Sequence, residues 1–179
     1  MYVIGAFQTI GGVVSPRIAV WTGANWLPFD STGMGSPDRI VMFRDQPCVY
    51  STFFASNPVR RYDGTTWVTL GSTLSGAIID AVVYQDRLIV SGEELSLPGA
   101  GFPALAAWNG STWSTIPDIA GQVERLEVFA GELYATGGAL NLWNSTFDNT
   151  KLARWNGLNW YNANVPSFTD AWIQSLAAG

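Results

Sequence analysis

Trp21-Thr22-Gly23-Ala24-Asn25-Trp26, Tyr62-Asp63-Gly64-Thr65-Thr66-Trp67, Trp108-Asn109-Gly110-Ser111-Thr112-Trp113 and Trp155-Asn156-Gly157-Leu158-Asn159-Trp160 repeat one pattern: aromatic, any residue, glycine, two residues, tryptophan. The copies are spaced by 41, 46 and 47 residues. A period of this size marks a repeat architecture. Each copy lies between two short apolar segments, and three contain Asp-Gly or Asn-Gly, dipeptides that turn a hairpin because both residues accept positive φ. Each is therefore read as a turn between strands, with its flanking aromatics facing each other as a cross-strand pair.

Working outward, a strand precedes each turn, as in Arg17-Ile18-Ala19-Val20 or Lys151-Leu152-Ala153-Arg154, and a short one follows, as in Trp67-Val68-Thr69-Leu70. Two further apolar segments complete the unit. The first is seen in Arg39–Phe43, Ile79–Tyr84 and Val123–Phe129; after a tight turn the second reads Leu88–Gly92 or Leu133–Gly138. Taken in chain order these are strands A, B, C and D of a four-stranded unit of about 40 to 50 residues, the size of a propeller blade. No segment sustains a helical period free of glycine and proline, so helix is expected to be close to absent. A solenoid is disfavoured because it needs polar caps, whereas both ends read as apolar strands.

The expected fold is all-β: one domain over 1–179, a β-propeller of four four-stranded blades at about 170–179 plus 1–30, 38–72, 77–118 and 121–165. The chain starts in strand B, Tyr2–Phe7, and ends in a strand A, Asp170–Ala178. Pairing of that last strand with the N-terminal three would close the ring and remove two exposed sheet edges. The alternative is that the four blades form part of a larger ring.

Glycines ending strand B, an aromatic in strand C and a tryptophan opening strand D together resemble the kelch-type repeat of galactose-oxidase-like propellers, in the divergent form found in bacterial and phage surface proteins. The glycine doublet survives only as Gly137-Gly138, against Gly5-Ala6, Ser51-Thr52 and Ser91-Gly92 elsewhere, and the aromatic pair is more closely spaced than in the usual signature. The resemblance implies the fold; propellers host many unrelated activities, so it transfers no function. A sialidase-like reading of Tyr62-Asp63-Gly64-Thr65-Thr66-Trp67 is disfavoured because its Asp and Gly are adjacent, where the aspartate box separates them.

Composition narrows function. Charged residues are 13% of the chain, about half the ~25% usual for soluble domains, and the net charge is −5 with one lysine, Lys151. That balance argues against nucleic acid, which is held by Lys and Arg on phosphates, and against anionic membranes. No apolar run approaches the ~18 residues of a membrane span. The N-terminus shows no basic lead or cleavage pattern of a signal peptide. Nine Trp, nine Phe and six Tyr beside one Lys lean towards an extracellular or virion-surface setting.

Chemistry is sparse. With no histidine and the single Cys48, copper and zinc sites of the usual kind, a Cys/His pair and an internal disulfide are all excluded, and no phosphate loop or serine triad is present. No cofactor, metal or catalytic residue is assigned. Glu93-Glu94, Asp45, Asp86 and Glu132 lie at loops, where paired carboxylates would serve a propeller-type glycoside hydrolase or lyase; acids at turns more often solvate the loop. Arg39, Asp80, Arg125 and Ser175 share one register position on strand A and are the channel-lining candidates, read either as a ligand-gripping ring or as a self-satisfied network between blades. The sequons Asn109-Gly110-Ser111 and Asn144-Ser145-Thr146 are common triplets. The longer B-to-C loops, about Glu94 to Ala104 and Asn141 to Thr150, carry Phe102, Trp143 and Phe147 with no core role in the pattern, and are the candidate ligand-binding loops. The expected function is non-catalytic: recognition of a glycan or protein partner, or docking in a virion or cell-surface assembly, with room for an oligomer.

Overall fold

The structure is a computed structural model and describes residues 1–53, 59–72, 74–143, 150–163 and 173. Every regular element among them is a strand. The first sheet has three strands, β1 (Tyr2–Ile4), β4 (Ile18–Trp21) and β5 (Trp26–Pro28), flanked by a two-stranded hairpin of β2 (Thr9–Ile10) and β3 (Val13–Val14). The second is the meander β6 (Arg39–Phe43), β7 (Gln46–Tyr50), β8 (Arg60–Tyr62) and β9 (Trp67–Thr69). A third meander follows in β10 (Ser75–Tyr84), β11 (Arg87–Ser96), β12 (Leu105–Trp108) and β13 (Trp113–Thr115). The fourth sheet holds β14 (Ile119–Ala120), β15 (Val123–Phe129), β16 (Glu132–Leu142), β17 (Thr150–Trp155) and β18 (Trp160–Asn162). All pairings are antiparallel.

The repeated turn has one construction in all four copies. Its aromatics stand opposite each other, Trp21 on Trp26, Tyr62 on Trp67, Trp108 on Trp113 and Trp155 on Trp160, with ring centroids 5.1, 5.4, 5.4 and 5.3 Å apart. Positive φ is confined to the glycine: 103° at Gly23, 107° at Gly64 and Gly110, 102° at Gly157. The preceding Thr, Asp or Asn does different work from that expected of it. Its side-chain oxygen accepts two backbone N–H groups of the turn, Thr65 and Thr66 on Asp63 Oδ1, Ser111 and Thr112 on Asn109 Oδ1, Leu158 and Asn159 on Asn156 Oδ1, Ala24 and Asn25 on Thr22 Oγ1. These residues are chosen as acceptors, and the glycine alone supplies the left-handed backbone.

The A-to-B turns are two-residue hairpins with both central residues at positive φ, Arg44-Asp45, Gln85-Asp86 and Ala130-Gly131, as a turn matching the strand twist requires. Ala130 sits at φ 51°, where Cβ crowds the following carbonyl at a cost of about 1–2 kcal/mol. Ala130→Gly is accordingly expected to stabilise the domain by about 1 kcal/mol, read as a rise in the urea midpoint at unchanged slope.

Three apolar cores hold the sheets together. The first joins sheets one and two through Ile18, Val49 and Trp67, the second joins two and three through Phe43, Cys48, Leu88 and Trp113, and the third joins three and four through Ile89, Leu105, Leu133 and Trp160. Cys48 is wholly buried, and burial pushes its thiol up to about 12; it is a core hydrophobe. Three of the four D-strand tryptophans also reach back to the preceding sheet: Trp67 Nε1 donates to Asp30 O at 2.8 Å, Trp113 Nε1 to Leu70 O and Trp160 Nε1 to Pro117 O at 3.1 Å. At the A-to-B end, Arg44 bonds both Asp86 oxygens, at 2.9 and 2.7 Å, and Asn109 O, clasping sheet two to sheet three.

The closed four-bladed ring expected from the repeats is not formed. The strands belong to separate sheets, and the first has three strands in place of four. A ring of four needs four inter-sheet cores, and the described residues build three, none joining the fourth sheet to the first. The outer side of the first sheet shows the consequence: Trp26 is only half-buried, and Leu27 and Val14 are exposed. The strand expected to close the ring, Ala171–Ala178, lies outside the described residues apart from Ile173, which is in no strand.

Candidate functional site

Sheets three and four differ from the first two in strands that overrun their neighbours in the sheet. The C strand β12 pairs with β11 only over Leu88–Ser91, leaving Gly92–Ser96 paired to β10 alone. Two close approaches make this arm. A Cβ on Gly92 would lie 2.2 Å from Ala77 O, and one on Gly76 would lie 2.5 Å from Glu94 O. Opposite Gly76 the β11 strand carries two residues, Glu94 and Leu95, between the pairs Ala77–Glu93 and Ser75–Ser96. This bulge breaks the alternation of a strand, so the adjacent Glu93 and Glu94 are both exposed, Glu94 with φ 51°. In the fourth sheet a Cβ on Gly137 would lie 2.1 Å from Gln122 O, and the overrunning end of β16 is covered by β14, Ile119 on Leu142 and Ala120 on Asn141. Trp143 N then donates to Asp118 O at 3.2 Å, and Asp118 stands at φ 63°.

Between the two arms lies a cleft of about 480 Å³, within the ~300–1,000 Å³ of small-ligand sites. Leu95, Ala104, Ile116 and Ile119 give it a buried apolar floor. Phe102 from the third sheet and Trp143 from the fourth line it with rings that are 80% and 78% exposed. Glu93, Glu94 and Asp118 line it too, all exposed and with no side-chain hydrogen bond or ion pair among the described residues, and no Lys or Arg is among its lining residues. Thr115 and Gln122 add neutral donors and acceptors.

Phe102 and Trp143 are thus brought to one cleft from loops some forty residues apart in the chain; Phe147, and the sequon at Asn144, lie outside the described residues. The loops named in the sequence are partly strand, since β11 runs through Ser96 and β16 through Leu142. Three of the strand-A set share one register position, with Arg39, Asp80 and Arg125 opposite Tyr50, Ser91 and Thr136, and each of the three has a local partner. Arg39 pairs with its neighbour Asp38 at 2.9 Å, and Arg125 bonds Glu124 O at 2.6 Å. Asp80 accepts Leu126 N at 2.8 Å, tying β10 to β15. Ser175 lies outside the described residues.

The loop carboxylates fall at two ends of the strands, as their places in the unit imply. Asp86 and Glu132 sit at the A-to-B turns, in ion pairs with Arg44 and Arg154 at 2.7 and 2.9 Å, and the hydrogen bond and charge of Arg44 hold Asp86 below the usual carboxylate range. Glu93 and Glu94 belong to the opposite end of the strands, where their companion is Asp118. Nothing in the pattern singled out Asp118, which follows Pro117 in what reads as an ordinary D-to-A connection. Among the described residues no group of three His, Cys, Asp or Glu is placed to hold a metal ion.

The class these observations define is a β-rich module of stacked antiparallel sheets carrying one aromatic, acidic cleft. No family model matches the chain, and no curated protein matches it either.

Proposed function

We propose that the chain is a non-catalytic recognition module that takes a glycan in the cleft between its third and fourth sheets, in a protein displayed on a virion or cell surface. The observation that carries this reading is the pair of solvent-facing rings, Phe102 and Trp143, one from each sheet, over an apolar floor flanked by unpaired polar groups. A ring left in water forgoes its burial energy; gathered on one concavity, such rings supply the stacking surface and anchoring energy of an interface. The flanking carboxylates, Thr115 and Gln122 are suited to sugar hydroxyls, which both donate and accept.

The test is a glycan array followed by titration calorimetry with the best ligand. Phe102→Ala and Trp143→Ala are each expected to weaken binding about tenfold or more, while stability stays within about 0.5 kcal/mol of the parent, as for surface substitutions away from packed features. An array silent for the parent protein, or variants that unfold, would overturn the reading.

A second reading, cleavage of the glycan, draws on Glu93, Glu94 and Asp118 surrounding the same cleft. Recovery of the bound glycan intact after prolonged incubation supports the module; new reducing ends that vanish in Glu94→Gln or Asp118→Asn would put an enzyme in its place.

A further inference from the structure

The cleft combines aromatic rings with uncompensated negative charge. None of the chain's nine Lys and Arg residues lines the cleft, and six of them are held elsewhere: Arg44 with Asp86, Arg154 with Glu132, Arg39 with Asp38, Arg17 with Gly35 O, Arg60 with Gly33 O and Lys151 with Gly138 O. Three carboxylates therefore face the cleft with no counter-charge lining it. The backbone is bent to put them there. Among the described residues, five of the eight non-glycine residues at positive φ are central residues of A-to-B turns; of the other three, Arg17 adjoins β4 of the first sheet, and Glu94 and Asp118 line the cleft. Backbone held in this costly region gathers where a site needs it, and the bulge at Glu94 is what turns two consecutive carboxylates outward together.

We infer that the ligand is a cationic glycan, an oligosaccharide of amino sugars with free ammonium groups, held by Glu93, Glu94 and Asp118 between Phe102 and Trp143; this rests on the glycan-recognition reading above. A uronate or other acidic sugar would bring like charge to the site. A neutral sugar stacks on the rings but leaves the carboxylates uncompensated. An amino sugar meets both features, its C–H face against an aromatic ring and its ammonium against a carboxylate, and a cation beside an aromatic face gains further attraction. A lysine-rich peptide supplies the charge without the flat apolar face of a pyranose.

The experiment is calorimetric titration of the parent protein with a glucosamine hexasaccharide, its fully N-acetylated counterpart and a hexalysine peptide, at low and at high salt. The amino sugar is expected to bind at least about tenfold more tightly than the N-acetylated chain, and to lose affinity as salt screens the carboxylates. Glu93→Gln, Glu94→Gln and Asp118→Asn are each expected to weaken it about two- to fivefold, the range of solvent-exposed ion pairs. Asp45→Asn, which changes net charge equally at the far end of the strands, is expected to leave affinity unchanged. Equal binding of the two sugars, or no response to the three cleft variants, overturns the inference and leaves the recognition module standing. Tighter binding of hexalysine than of either sugar overturns the inference and the glycan reading together.

Discussion

Replacing Trp160 by alanine is expected to cost about 3–5 kcal/mol of stability, the range for deleting a large buried aromatic. Trp160 is 1% exposed, packs in the core between the third and fourth sheets against its cross-strand partner Trp155, and donates its indole N–H to Pro117 O at the end of the third sheet. The substitution removes ring, packing and inter-sheet bond at once. Trp160→Phe keeps most of the ring and loses the donor, and is expected to cost less, with about 1 kcal/mol from the hydrogen bond. Trp26 is the control. It holds the same place in the repeat but is half-buried, and among the described residues no sheet is stacked on its side and the small hairpin of β2 and β3 lies nearby, with Gly11 against its ring. Trp26→Ala is therefore expected to cost much less than Trp160→Ala in urea denaturation. Equal costs would mean that the outer side of the first sheet is as well covered as the inner ones, against the three inter-sheet cores built by the described residues.

The second large effect concerns glycines whose importance comes from the neighbouring strand. In Gly137→Ala the new methyl carbon would sit 2.1 Å from Gln122 O and 2.7 Å from Leu140 Cδ2. A backbone oxygen cannot rotate away, so β15 or β16 must shift, at a cost of about 1–3 kcal/mol for overpacking. Gly92→Ala meets Ala77 O at 2.2 Å in the same way. Gly5 is the corresponding glycine of the first sheet, where no A strand stands beside it among the described residues, and a Cβ there meets only the Phe7 ring at 3.4 Å. Gly5→Ala is expected to be nearly neutral. Because Gln122 and Gly92 line the cleft, the two damaging substitutions are also expected to weaken ligand binding; a Gly137→Ala protein with parental midpoint and affinity would show that the close approach is unimportant.

The local elements were legible because each is specified by residues adjacent in the chain. The four turns follow from an acceptor side chain, a glycine and two aromatics at fixed spacing, and all four formed with their rings opposed. Strand order within each meander followed from turns too short to allow anything but antiparallel neighbours. At the site, Phe102 and Trp143 were legible as aromatics without a place in the repeat, while Asp118 and Gln122 were not. Their role depends on β14 covering the end of β16 and on the bulge at Glu94, contacts between segments that no local pattern encodes.

What the sequence by itself determined is the repeating unit: strand, tight turn, strand, aromatic hairpin, with its alternating apolar face and no helix. These are consequences of backbone geometry and short-range hydrogen bonding, which act over a few residues. Tertiary structure alone decided how the units stand to one another and where the cleft opens. Similar units pack through one kind of interface whether or not they close into a ring, because Trp67, Trp113 and Trp160 each reach only the sheet before them; closure depends on the small rotation between successive sheets, which no single repeat contains. The cleft likewise arises where two overrunning strands from different sheets diverge, so its rings and carboxylates became one site only when the third sheet met the fourth.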